Sequence, residues 1–236
     1  MKSKYWKLIS IVFILVLVLI LFFYKNYFNS LVPFISSNYK IRGIDISHHN
    51  KVYDWDLVKS KNTFCIMKAT EGNKMNDPKF NNSWKIAKNI NLTRGAYHFF
   101  KSNSSAELQF ENYRNSVKLT TNDMPPILDV EDDNIDMDQV NKWLSLAENY
   151  YGVKPIIYAS YNYYVRYMQG KVNNYPVWLY YNTRYKLRPK FESNEVLFLQ
   201  YSQHGKVNGI NGDVDLDLFL GDKESFNKLL IKFFCF

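Results

Sequence analysis

Pro125-Pro126-Ile127-Leu128-Asp129-Val130-Glu131-Asp132-Asp133 reads as a short buried strand over residues 127–131, entered through two prolines that stop a helix from running into it. Side chains alternate along a strand, so Asp129 and Glu131 share one face and Leu128 and Val130 the other. At about 3.3 Å of rise per residue, the two acidic positions stand roughly 6.6 Å apart along the backbone. Carboxylates so placed repel each other, which raises one pKa and lets one acid stay protonated near neutrality, as a general acid must. The same residues also suit a plain acidic strand end that caps the next helix or faces water.

Seven further β-rich runs lie around this one: residues 41–47, 64–70, 94–100, 155–160, 177–181, 196–202 and Val214–Phe219. Helical patterns separate several of them. Ala106, Phe110, Tyr113 and Val117 fall at helical spacing, as do Val140, Trp143, Leu144, Ala147 and Tyr151. Asp136 or Asp138 is placed to cap the second helix, and Gly152 to close it. Strands alternating with helices imply parallel βα units. Eight strands within residues 40–236 predict an α/β fold, an irregular TIM-like barrel with fewer than eight helices.

Polar residues gather at one end of these runs. Asp45 precedes Ser47-His48-His49, and Lys68 and Glu71 close the second run. Tyr97 and His98 close the third, Asp129 and Glu131 the fourth, Tyr158 and Ser160 the fifth, and Gln200-Tyr201-Ser202 the seventh. Asp213, Asp215 and Asp217 lie on the last. In a βα barrel the C-terminal strand ends converge on one face, where such folds build their sites. Any one of these residues suits a structural role; so many on one rim argue for a site.

The 236 residues, 47% hydrophobic and 17% aromatic, suit one large core with an appendage. The 19 Tyr and 5 Trp serve mostly as core, and their excess also suits sugar sites, where rings act as flat apolar platforms. Cys65 and Cys235 are too few for a disulfide scaffold, and Cys65 within Phe64-Cys65-Ile66-Met67 reads as a small buried hydrophobe. Zinc spacing, a phosphate loop and a dinucleotide fingerprint are all missing, so no cofactor or metal is expected. A metal-dependent hydrolase would have to draw its ligands from Asp45, His48, Asp129 and Glu131. The net charge is +8, of which Lys2, Lys4, Lys7 and Lys25 supply four around the N-terminal apolar run. The modest surplus left favours an anionic polymer such as cell wall and is too weak for nucleic acid.

Residues 8–24 form an uninterrupted apolar run behind a basic N-terminus, residues 1–7. Its 17 residues reach the short end of the roughly 17–25 that cross a bilayer. They exceed the usual signal-peptide core of about 7–15, and no small-x-small cleavage site follows. The expectation is therefore an uncleaved transmembrane signal anchor in the lipid bilayer, with everything beyond it outside the cytoplasmic membrane; cleavage would make the protein secreted. Residues 25–39 read as a stalk and 40–236 as the folded domain, a monomer. Residues 225–236 read as a terminal helix or tail whose Phe233, Phe234 and Phe236 pack on the barrel.

The sequence resembles glycoside hydrolase family 25, the Chalaropsis-type lysozymes or N-acetylmuramidases. The likeness rests on Gly43-Ile44-Asp45-Ile46-Ser47 with His48-His49-Asn50, on Met67-Lys68-Ala69-Thr70-Glu71-Gly72, and on Asp77-Pro78-x-Phe80. Gly95-Ala96-Tyr97-His98-Phe99-Phe100, Pro126-Ile127-Leu128-Asp129-Val130-Glu131 and Pro155-Ile156-Ile157-Tyr158-Ala159-Ser160 follow in the family's order. Pro176-Val177-Trp178-Leu179, Gln200-Tyr201-Ser202 and Val214-Asp215-Leu216-Asp217 complete it, so that about residues 41–219 are covered. The resemblance implies cleavage of the β-1,4 bond between N-acetylmuramic acid and N-acetylglucosamine in peptidoglycan glycan strands.

By motif position, the resemblance makes Glu131 the general acid and gives Asp129 the substrate's 2-acetamido group or the oxocarbenium-like transition state. Asp45 and Asp215 complete an acidic ring, and Lys68, Tyr97, Tyr158, Trp178 and Gln200 bind substrate. Side-chain reach leaves open a covalent intermediate, acetamido participation or direct attack by water. Two departures stand out. Tyr180-Tyr181-Asn182 follows Trp178-Leu179 where the family usually has a small residue, and Asp217 stands where many members have Asn. A non-catalytic glycan-binding protein on the same barrel is the alternative reading.

Overall fold

A computed structural model of the protein describes residues 6, 10–22, 39–132, 134–172, 174–181 and 195–232. The chain divides into two units, Met1–Asn38 and Tyr39–Phe236. In the first, residues 10–22 form helix α1, with the apolar side chains from Ile11 to Phe22 exposed. The membrane-spanning helix expected over 8–24 is not found among the described residues, where no helix is long and apolar enough to cross a membrane. Residues 1–5, 7–9 and 23–38, which hold the basic flank, both ends of the apolar run and nearly all of the expected stalk, lie outside the described residues.

The second unit is built on a closed sheet. β1 (Arg42–Ile46) pairs in parallel with β3 (Phe64–Glu71), which pairs in parallel with β5 (Thr93–Phe99). The parallel ladder continues through β6 (Ile127–Asp129), β7 (Ile156–Ser160), β8 (Val177–Tyr180) and β9 (Val196–Gly205). β11 (Val214–Phe219) then closes the ring between β9 and β1, antiparallel to both. The barrel's irregularity lies here: β9 returns directly into β11, without the helical crossover that a parallel pair requires. Short strands β2 (Lys51–Val52) and β10 (Ile210–Asn211) pair with each other, and β4 (Met75–Asn76) folds back on β3.

Helices α2 (Trp55–Lys61), α3 (Phe80–Asn89), α4 (Ala106–Ser116) and α5 (Met137–Tyr151) cross between successive parallel strands. The one turn of α6 (Tyr161–Tyr163) runs on as a π-helical turn, Tyr164–Met168. The apolar positions read at helical spacing are buried, including Val140, Trp143, Leu144, Ala147 and Tyr151 on α5. Asp136, rather than Asp138, caps α5 by accepting from the Asp138 N–H, and Gly152 ends it at φ 68°. α7 (Lys223–Leu229) starts from Asp222 and buries Phe226. The expected packing of Phe233, Phe234 and Phe236 concerns residues outside those described, as does Cys235.

Two apolar layers result. The outer one, between sheet and helices, holds Ile44, Cys65, Met67, Leu128, Val130 and Trp143. The inner one fills the barrel with Phe64, Ile66, Ile127, Ile156, Trp178, Phe198 and Phe219, and takes in Phe226 and Leu230 from the C-terminal segment. Alternation along the strands explains the split: neighbours such as Ile127 and Leu128 go to opposite layers. The inner layer approaches closely at Gly43, where a Cβ would stand 2.2 Å from the Phe64 ring, so only glycine fits. Inward rows change from apolar to polar toward the rim: Ile127 gives way to Asp129, Ile156 to Tyr158, and Phe198 to Gln200. That gradient places the site.

Candidate active site

The rim residues enclose a cleft of about 360 Å³ lined by Asp45, Tyr97, Asp129, Glu131, Tyr158, Trp178, Gln200, Gln203 and Asp215. All four acids expected to act, and four of the five expected binding residues, converge here. Lys68 does not line the cleft. Its ammonium pairs with Glu71 at 2.6 Å and lies 4.9 Å from the centre of the Phe99 ring. Its charge still counters the upward shift of Asp129.

Glu131 departs from the expected strand. The β6 ladder ends at Asp129, and Glu131 stands in the irregular segment beyond it. Alternation nevertheless persists, because Val130 still hydrogen-bonds to the Tyr158 carbonyl at 2.9 Å and points to the outer layer. Asp129 and Glu131 therefore share the cleft, Asp129 buried and Glu131 at the mouth.

The next residue holds this segment in place. Asp132 accepts from the Ser102 N–H at 2.9 Å and the Ser102 hydroxyl at 3.0 Å, and pairs with Lys101 at 3.3 Å. Its carbonyl accepts from the Tyr163 hydroxyl at 3.2 Å. Asp133 lies outside the described residues.

Burial, more than mutual repulsion, sets the protonation of the cluster. It is the first cause raising Asp45, Asp129, Glu131 and Asp215 above the usual carboxylate range. Glu131's charge then adds to the rise at Asp129, but the charge that raises Glu131 is that of Asp215, not Asp129. Asp215 is pushed up to about 6. The cluster is thus biased toward its protonated forms, as a general acid requires.

A hydrogen-bonded chain supports the cleft from behind. The Tyr158 hydroxyl donates to Gln200 Oε1 at 2.6 Å, and Gln200 Nε2 donates to Asp45 Oδ2 at 2.8 Å. Trp178, whose ring lies 4.4 Å from that of Tyr158, donates its indole N–H to Asp217 Oδ1 at 3.0 Å. Of the residues taken as binding residues, Tyr158, Trp178 and Gln200 are thus nearly buried and mainly orient other groups. Asp129 Oδ1 is buried and meets no donor, which leaves an acceptor aimed into the site.

Gln203 was not legible in the sequence. The register between β9 and β11 shifts between Val214 and Leu216 and again between Leu216 and Asp217, and such bulges break the alternation that assigns faces. His48, which a metal site would have required beside Asp45, turns instead to Asp77, with Nδ1 at 2.9 Å.

The family described as Glycosyl hydrolases family 25 matches residues 44–210, which leaves β11 with Asp215 and Asp217 beyond the matched stretch. The uncharacterized protein YegX of Escherichia coli (strain K12) is 35% identical over 201 residues, 80% of this chain and 73% of its own. Among solved structures, a family 25 glycosyl hydrolase from Bacillus anthracis superposes with a TM-score of 0.74 at 28% identity, covering 82% of this chain and 95% of that one. The bacterial lysozyme from Streptomyces coelicolor does so at 0.72 and 26%, covering 80% and 96%.

Proposed function

The chain belongs to the glycosyl hydrolases of family 25, and from that premise we propose that it is a muramidase, cleaving the β-1,4 bond between N-acetylmuramic acid and N-acetylglucosamine in peptidoglycan. The observation that carries this reading is the convergence of Asp45, Asp129, Glu131 and Asp215 on one cleft, where desolvation raises the pKa of Glu131. The likeness to a bacterial lysozyme supports the choice of substrate.

In this reading Glu131, at the mouth, gives its proton to the leaving glycosidic oxygen as the bond breaks. Asp129, deeper and with Oδ1 free of any donor, accepts from the 2-acetamido N–H or stabilises the oxocarbenium-like transition state. Asp215 keeps Glu131 protonated through its charge, and Asp45 anchors the floor through Gln200. Tyr97 and Gln203 offer polar contacts to the sugar. We place the catalytic domain outside the cytoplasmic membrane, held there as a monomer by the apolar run of residues 8–24 and acting in wall breakdown. The exposed apolar side chains of α1 support the anchoring part of this placement.

The test is mass spectrometry of peptidoglycan digested with the purified chain. A new N-acetylmuramic acid reducing end supports the assignment. A new N-acetylglucosamine end would make the protein a glucosaminidase, and binding without new ends would leave a glycan-binding protein.

A further inference from the structure

We propose that Asp217 keeps its proton at neutral pH and donates it in a hydrogen bond to Asp45, so that it is a positioning residue for the acid cluster and not a further negative charge in it. Asp217 is fully buried on β11, opposite Gly43 on β1 and Gln200 on β9. Its Oδ1 accepts from the Trp178 indole, while its Oδ2 is buried and meets no N–H or O–H donor. Asp45 is its diagonal neighbour across the β1–β11 ladder, and two carboxyl groups can hydrogen-bond to each other only if one keeps a proton.

The direction follows from the surroundings. Asp45 already accepts from Gln200, which stabilises its charge, whereas Asp217 accepts only from an indole. Among the described residues, the titratable groups acting on or sensing Asp217 are Asp45 and Asp215, with Cys65, Tyr158 and Tyr201 behind them, and none of these is a cation. An ionised carboxylate with no cation in a dry site is expensive, and a neutral acid avoids that cost. Burial first, then the charges of Asp45 and Asp215, push its carboxyl well above the usual range. A neutral Asp217 offers one donor and one acceptor in the plane of the group, the same pattern as a side-chain amide. It thereby gives Asp45 a second donor beside Gln200.

The role in catalysis rests on the proposed muramidase reading; the proton itself does not, and the experiment separates the two. Difference infrared spectra of the full chain at neutral pH, wild type against Asp217→Asn, should show the loss of one protonated carboxylic acid carbonyl band. Loss of carboxylate bands alone would overturn the proposal. In peptidoglycan hydrolysis, Asp217→Leu should lower kcat by about tenfold or more with little change in KM, since only the orientation of a reacting group is disturbed. Asp217→Asn should recover most of that loss, because an amide offers Asp45 the same donor without ionising. An Asp217→Leu protein with wild-type kcat and pH profile would refute the positioning role. If wild type releases no reducing ends, the muramidase reading fails and the infrared result still decides the proton.

Discussion

Asp45 and Asp215 stand directly opposite one another across the antiparallel ladder between β1 and β11, so the strand that closes the barrel also brings two acids face to face at the rim. Carboxylates directly opposed on neighbouring strands are normally destabilising. Here Asp45 is buried and Asp215 half-buried, and Asp215's charge is one of the causes that raise Asp45.

Asp215's own contribution to stability should therefore fall as pH rises. Its folded-state pKa, about 6, lies above the ordinary aspartate value of 3.8. The folded form holds a proton that the unfolded chain has already released, so the contribution is fully present below 3.8 and is lost as pH climbs to about 6. Thermal melts across this window should show the Tm of wild type falling with pH relative to that of Asp215→Asn. A difference between the two that stays constant across the window would contradict this.

Glu131→Gln should remove the proton donor and leave the fold intact. General acid catalysis contributes on the order of 10²–10⁴-fold, so release of reducing ends should drop by that factor with an unchanged circular dichroism spectrum. Full activity in this variant would end the assignment of Glu131.

The pH profile should identify the charge that tunes Glu131. A general acid must be protonated, so kcat/KM falls as pH rises through Glu131's elevated pKa. Asp215→Asn removes the charge that helps to raise that pKa, and the alkaline limb should move to lower pH. A limb that stays in place, or moves up, would show that Asp215 does not act on the acid.

Asp132 should matter to rate although it does not line the cleft. Its bonds to Ser102 and Lys101, with its carbonyl's bond to Tyr163, tie down the residue next to Glu131. Asp132→Ala should lower kcat by about ten- to a hundredfold, the scale associated with a misplaced catalytic group. Asp132→Asn, which retains an acceptor for Ser102, should lose less. Equal losses in both variants would point to the charge rather than to the clamp.

At the opposite end of β5, Asp123 holds Arg94 through Nε at 2.7 Å and Nη2 at 2.9 Å, with the guanidinium 3.8 Å from the Trp84 ring. Both side chains of the pair are nearly buried. Asp123→Ala would strand the guanidinium and should lower unfolding free energy by about 3–5 kcal/mol in denaturant titrations. The pair lies away from the rim, so activity per folded molecule should not change.

The eight strands were legible because each is a short apolar run with its own turn signals, and the α5 residues because five apolar positions fall on one helical face. The acids at the strand ends were legible for the same reason, since in a barrel the order of the strands delivers their ends to one rim. What the sequence did not carry was direction and register. Nothing in Val214-Asp215-Leu216-Asp217 says that the strand runs backwards, and nothing marks the bulges that bring Gln203 inward. Lys68 sat at the right position, but its choice of Glu71 over the cleft depends on side-chain reach. Proximity of Asp129 and Glu131 also suggested repulsion as the main cause of the shifted pKa values, whereas burial, a property of the folded rim, comes first.

The ring is sealed by its first and last strands, and the Gln200–Asp45 hydrogen bond joins positions 155 residues apart. Such distant pairings form slowly, because loop-closure entropy must be overcome before the contact rewards it. The floor of the cleft is therefore completed only when β9 and β11 reach β1. A chain emerging from synthesis carries Glu131 and Asp129 well before it carries their supports. The cleft thus stays unformed for as long as the barrel remains open.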